Sequence, residues 1–260
     1  LLFALIMARV TGLLFTMPVL SAEGVPYRVR TGLAFFLSIA LFPVTASYLP
    51  APSGTPLGMG LLVIGQAVMG IITGLLMQMV FAAFQIAGEI FSIQIGLSFS
   101  EVLDPQSQVS IPILGTLKNL VGILLFVSVP FTMDGVYTTA MLHSIRALVH
   151  SFKAVAFFSA ETGISGGVLA ELDQAFGILF ITALKIAVPL MGILFLSSLA
   201  LGILGRAAPQ MNLMVMGIQV NILTGIILLV VLMPVMVPLM LDAFQVFYGE
   251  LGEMFRIWPR

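Results

Sequence analysis

A chain does chemistry through ionisable or nucleophilic groups at workable spacing, and this one carries few of them. Its two histidines are His143 and His150. Seven residues apart on a helix they are separated by a rise of roughly 10 Å, too far to share one metal ion. With Cys 0, thiolate zinc sites, Fe–S clusters, disulfides and cysteine nucleophiles are excluded together. No metal and no cofactor is expected. Gly163-Ile164-Ser165-Gly166-Gly167 spells the letters of a nucleophile elbow. Such an elbow needs a strand before it, a helix after it, and an acid and then a His further along, and no His follows His150. It reads as a glycine-rich turn. An intramembrane protease with paired aspartates needs both inside apolar spans, whereas Asp104, Asp134, Asp173 and Asp242 fall at segment edges. There is no phosphate loop or dinucleotide-binding glycine turn. The chain is not expected to be an enzyme.

What remains are charges inside apolar runs: Arg9, Glu89, Lys118 and Lys185. Charges of this kind are costly in lipid and face a protein interior or water. Gln78, Gln85, Glu89 and Ser92 follow spacings of seven, four and three, which puts them on one face of a helix. A polar face on a greasy helix lines a passage or meets a partner subunit, and interfaces are the commoner case. Gly70-Ile71-Ile72-Thr73-Gly74 and the series Gly88, Ser92, Gly96 are small-xxx-small patterns that let helices approach closely.

The elements that must hold these groups are set by composition. Of 260 residues, 60% are hydrophobic and only 8% charged, against about a quarter charged in a typical soluble domain. Lys+Arg 10 against Asp+Glu 11 leaves a net charge of -1 and no basic field for nucleic acid. Membrane lipid is the expected surrounding. Six apolar segments stand out, at 1–20, 31–49, 57–99, 111–131, 175–204 and 211–241. Five suit one membrane-spanning helix of about 20 residues, while the third would reach roughly 64 Å and must tilt, break or leave the bilayer. Between the fourth and fifth, Met141, Ile145, Leu148 and Phe152 recur at helical spacing opposite Ser144, Arg146, His150, Ser151 and Lys153. That predicts an amphipathic helix within 137–160, lying on a surface. The tail at 243–258 repeats the pattern weakly. Lys and Arg are spread over alternate loops, with Arg28, Arg30 and Arg206 on one side and Arg146, Lys153, Arg256 and Arg260 on the other. Charge counting therefore leaves the orientation open. Leu1 stands where an initiator Met is expected, which predicts a short preceding segment.

Two loops carry more than connection requires. The first runs from Gly96 through Phe99, Glu101, Val102, Leu103, Asp104 and Pro105 to Pro112. The second, Gly205-Arg206-Ala207-Ala208-Pro209-Gln210-Met211-Asn212, is a polar tip on a long hairpin.

At these loops the chain resembles the family of the flagellar biosynthetic protein FliR and its injectisome counterparts in type III secretion. The resemblance covers nearly the whole chain. It is carried by Met7-Ala8-Arg9-Val10, Pro18-Val19-Leu20 and Val25-Pro26-Tyr27-Arg28-Val29-Arg30. It continues through Ala87-Gly88-Glu89-Ile90, Gly96-Leu97-Ser98-Phe99, Asp104-Pro105, Gly205-Arg206 and Ala208-Pro209-Gln210-Met211-Asn212. Many relatives carry a Lys after the Pro-Gln-x-Asn tip, where this chain has Gln219-Val220-Asn221. The resemblance implies an all-α membrane protein of about six long hydrophobic helices in hairpins. A FliP-like part, 1–174, would be fused to a FliQ-like hairpin and tail, 175–260. It implies a structural and gating subunit of the protein export gate in the bacterial inner membrane, at the flagellar basal body. The expected partners are FliP, FliQ and FlhB homologues and unfolded export substrates. In the family the loop matching Ile95 to Ile111 plugs the closed passage, which gives Ile95, Gly96, Phe99, Val102, Leu103, Asp104 and Pro105 a sealing role. Gln78, Gln85, Glu89, Lys118 and Lys185 are the buried-charge and interface candidates, and Arg206, Pro209, Gln210 and Asn212 form the hairpin tip. The rival reading is a small secondary transporter or ion channel that uses Glu89, Lys118 and Lys185.

Overall fold

The computed structural model describes residues 1–21, 25–49, 55–96, 113–133, 135–155, 166–207 and 213–257. Among them the architecture is α-helical, with one two-stranded hairpin. The helices are α1 (Leu2–Thr16), α2 (Tyr27–Thr45), α3 (Pro56–Ile95), α4 (Ile113–Ser128), α5 (Ala140–Ala154), α6 (Gly166–Ala207) and α7 (Leu213–Ile257).

Local chemistry sets the helix ends. Pro18 keeps Met17 extended, with ψ 138, because the residue before a proline avoids the helical region, and so α1 stops after 15 residues. Pro56 occupies the first position of α3, where its missing N–H costs nothing, and the Thr55 hydroxyl accepts the N–H of Gly58 at 3.3 Å. At the other end of α3, Gly96 takes φ +87 and donates its N–H to the Ile93 carbonyl at 3.0 Å, a left-handed stop that favours glycine.

The expected pattern of five single spans is corrected. Among the described residues four helical stretches, Tyr27–Tyr48, Pro56–Ile95, Leu172–Ala207 and Gly217–Arg256, are long and apolar enough to cross a membrane. Among the described residues the first and fourth segments yield α1 and α4, of 15 and 16 residues. The fifth and sixth extend into helices of 42 and 45 residues, so three helices are overlong, not one. The tail is no separate surface element, because α7 continues to Ile257 and buries Phe244, Phe247, Tyr248, Leu251, Met254 and Phe255.

The stretch expected as one amphipathic helix is also redrawn. Strands β1 (Pro130–Met133) and β2 (Val136–Thr139) pair antiparallel with Met133 opposite Val136, and Gly135 turns the chain at φ +73. Tyr137 to Thr139 are therefore strand, and α5 begins at Ala140. Leu148 and Phe152 are buried as expected, but Met141 is exposed while Ser144 and Ser151 turn inward. The buried face is rotated because both serines satisfy their hydroxyls locally, Ser144 on the Ala140 carbonyl at 2.9 Å and Ser151 on that of Leu148 at 2.7 Å.

The chain forms two compact units. The first comprises 1–81, 125–178 and 244–260, and the second 82–124 and 179–243. In the first unit, the rings of Phe81, Phe126 and Phe244 meet pairwise at 5.7, 5.9 and 6.1 Å between centroids, joining α3, α4 and α7. Phe3 of α1 stands edge-on to Phe35 of α2 at 5.8 Å. In the second unit, the α6–α7 hairpin carries a polar tie, in which the Ser197 hydroxyl donates to Asn221 Oδ1 at 3.2 Å.

Candidate functional site

Helix α1 crosses α3 at glycines. A Cβ on Gly70 would strike the Arg9 carbonyl and come within 2.8 Å of Leu13 N; one on Gly74 would meet the side chain of Thr16 and, at 2.8 Å, the Leu13 carbonyl. Gly12 answers from α1, against the backbone of Ala67 and Ile71. The small-residue spacing of Gly70 and Gly74 thus performs the close helix approach expected of it.

Four residues before Gly70, on the same face, lies Gln66. The crossing brings it to Arg9, which is 0% exposed. Arg9 Nε donates to Gln66 Oε1 at 2.7 Å, one terminal nitrogen to Ser151 Oγ at 3.2 Å, and the other to the Val155 carbonyl at 2.7 Å. The guanidinium also sits 4.2 Å above the centre of the Phe152 ring. Among the described residues it has no carboxylate partner; neutral acceptors and a π face hold it. Burial pulls its pKa down to about 9, which leaves it a cation at neutral pH. The sequence marks Arg9 as a charge in an apolar run, but it does not reveal Gln66 and Ser151 as its acceptors. The signal available was the glycine series, which extended back one turn leads to Gln66.

The polar face of α3 divides. Gln78, Gln85 and Glu89 are exposed, together with Ile71, Leu75 and Ile93 at helical spacing, whereas Ser92 is buried. Among the described residues Glu89 makes no ion pair. Lys118 falls within α4, and its side chain lies outside the described residues. Lys185 on α6 is exposed, as is Arg206 in the last turn of that helix, where a cation complements the helix dipole. Hence the structure does not bring Glu89 and Lys185 into an enclosed charged site.

Of the sealing residues, Ile95 is 1% exposed and Gly96 ends α3. Ile95 lies against Gly225 of α7, where a Cβ would fall 2.5 Å from Ile95 Cγ1. Phe99, Val102, Leu103, Asp104 and Pro105 lie outside the described residues, as do Pro209, Gln210 and Asn212 of the hairpin tip.

Residues 1–247 match the model of the bacterial export proteins, family 1. The chain belongs to this family. Curated relatives agree across most of the sequence. The flagellar biosynthetic protein FliR of Escherichia coli is 36% identical over 222 residues, which are 85% of this chain and 80% of that protein. The FliR of Bacillus subtilis is 30% identical over 235 residues, 88% of this chain and 84% of that protein. Within this export family, the buried Arg9 joint and the open face of α3 are features of a helical membrane component, and the relatives' names denote no catalyst.

Proposed function

We propose that the chain is a structural and gating subunit of a flagellar type III export gate in the bacterial inner membrane, helping to form the closed channel that passes unfolded proteins. The observation that carries this reading is the face of α3 on which Gln78, Gln85 and Glu89 lie exposed in the second half of a 40-residue apolar helix. Polar groups facing hydrocarbon are costly, so the face calls for cover by other subunits or by a wet passage. Family membership supports export, and the names of the relatives favour a flagellar system over an injectisome. FliP, FliQ and FlhB homologues are the proposed partners, with 1–174 standing as the FliP-like part and 175–260 as the FliQ-like hairpin. A transporter would gather its charges into one enclosed site, and the exposure of Glu89 and Lys185 does not favour that reading.

Ile95 to Ile111 is proposed as the removable seal. A membrane that maintains a proton gradient needs apolar bulk across a protein-sized passage at rest, and Ile95, Phe99, Val102 and Leu103 would supply it. The burial of Ile95 and the left-handed stop at Gly96 support a fixed base from which such a loop departs.

The test is purification of the tagged chain at native expression. FliP, FliQ and FlhB homologues should come with it in fixed ratio. A chain that arrives alone and monodisperse overturns the assignment. In the same cells, deleting Phe99 to Leu103 should leave the complex assembled while the membrane leaks small ions; a tight membrane around an intact complex removes the sealing role.

A further inference from the structure

One face of α5 and the last turns of α7, both in the first unit, enclose a cavity of about 260 Å³. From α5 it is lined by His143, Arg146, Ala147 and His150, which at spacings of three, one and three form one helical stripe. From α7 come Tyr248, Leu251, Gly252 and Phe255, and Val136 of β2 closes one side.

Two properties define what it would hold. First, the charged residue that lines it is a cation, Arg146. Arg146 is exposed and engages no carboxylate or hydrogen-bond acceptor among the described residues, and α5 contains no acidic residue at all. On α7, Glu253 is taken by Arg256 at 2.7 Å and Glu250 by the Gln174 amide at 3.2 Å, and neither lines the cavity. Second, the walls behind the cation are apolar and fixed. His143 packs on the Tyr248 ring at 6.1 Å and His150 on the Phe255 ring at 6.3 Å between centroids. The Tyr248 hydroxyl is engaged within the wall, 2.6 Å from Ser144 Oγ and 3.0 Å from the Ala140 carbonyl, which leaves ligand binding to its ring. A small inorganic anion would lose water against these walls without return, whereas an anion carried on hydrocarbon satisfies both sides. The cavity also lies on the last turns of Gly217–Arg256, a stretch long and apolar enough to cross a membrane.

We propose that this cavity binds the phosphate headgroup of an anionic phospholipid, with Arg146 as the charge partner, His150 as an imidazole donor, the His143 ring as part of the wall, and Leu251 and Phe255 against the start of the acyl region. The reading is independent of gating, because it needs only that the chain reside in a membrane.

The test uses the tagged chain with its co-purifying subunits, extracted gently and exchanged into vesicles of phosphatidylcholine doped with phosphatidylglycerol. Retained phosphatidylglycerol is measured by mass spectrometry. Arg146→Gln should lower retention about fivefold, the factor that one cation near an anionic surface contributes. Lys153→Gln, on the same helix but outside the cavity, should leave retention unchanged. Gly252→Leu attacks the site without touching charge. Gly252 lines the cavity and a Cβ there meets nothing within 4 Å, so added bulk at this position should lower retention again. Inorganic phosphate added at millimolar concentration should not displace the lipid. Equal retention in Arg146→Gln and the parent overturns the proposal. So does an equal fall in Lys153→Gln, which would mean diffuse surface charge, or displacement by phosphate alone, which would mean a plain anion site.

Discussion

Arg9 is held by three neutral acceptors, and each removes part of the cost of a charge without water. Gln66→Leu leaves the buried Nε–H without its acceptor and should lower the stability of the purified complex by about 1–3 kcal/mol, read as a fall in Tm. Arg9→Met combined with Gln66→Leu removes donor and acceptor together, and should lose less than the two single losses added. Strict additivity would show that the Nε bond contributes nothing. Gly225 offers a second point of leverage. Gly225→Ala places a methyl 2.5 Å from Ile95 Cγ1, so Ile95 must shift at the base of the proposed seal. Ion leakage through membranes containing this variant should rise above the parent's while the complex still assembles. Leakage equal to the parent's would separate Ile95 from sealing.

The α1–α3 crossing can be tested by paired substitutions on one helix. Gly70→Ala drives a methyl into the backbone of Arg9 and Leu13, which cannot give way without separating the helices, and should cost about 1–3 kcal/mol. Gly60→Ala, where a Cβ meets nothing within 4 Å, should be neutral or stabilising by about 0.5–1 kcal/mol from backbone entropy. Protease resistance of the complex in detergent ranks the two, and equal ranking would dismiss the close approach. These elements also show what the sequence made legible. Gly70 and Gly74 announced a helix contact because spacing alone creates a flat face. The overlong α3 was visible as an unbroken apolar run, whereas the lengths of α6 and α7 were hidden because their ends carry polar residues such as Gln174, Glu250 and Glu253. The β hairpin was missed although Asp134-Gly135 spells a favoured tight turn. Apolar neighbours on both sides made that stretch look like the end of a span. The inward serines of α5 were placed on the wet face because binary patterning takes no account of hydroxyls that bond to their own helix. Arg9 could be seen as anomalous, but its acceptors come from 57 to 146 residues away and no local pattern points to them.

Among the described residues the polar stripe of α3 stays uncovered, and the chain should not persist alone. Several kcal/mol for each unpaired polar group facing hydrocarbon predicts aggregation or degradation on single expression, with rescue by co-expressed FliP and FliQ homologues. A soluble, helical, monodisperse monomer in mild detergent would refute this. The division into units has a separate consequence for how the protein is made. The first unit is built from three separated stretches of sequence, and Phe244 in the last of them completes a ring cluster with Phe81 in the first. At ordinary rates of synthesis, on the order of ten seconds pass on the ribosome between these two phenylalanines. During that interval the earliest helices are already out of the exit tunnel, with their final neighbour still untranslated. Completion of the first unit therefore waits on the synthesis of Phe244, and a nonsense codon before Phe244 removes part of the earliest-made unit.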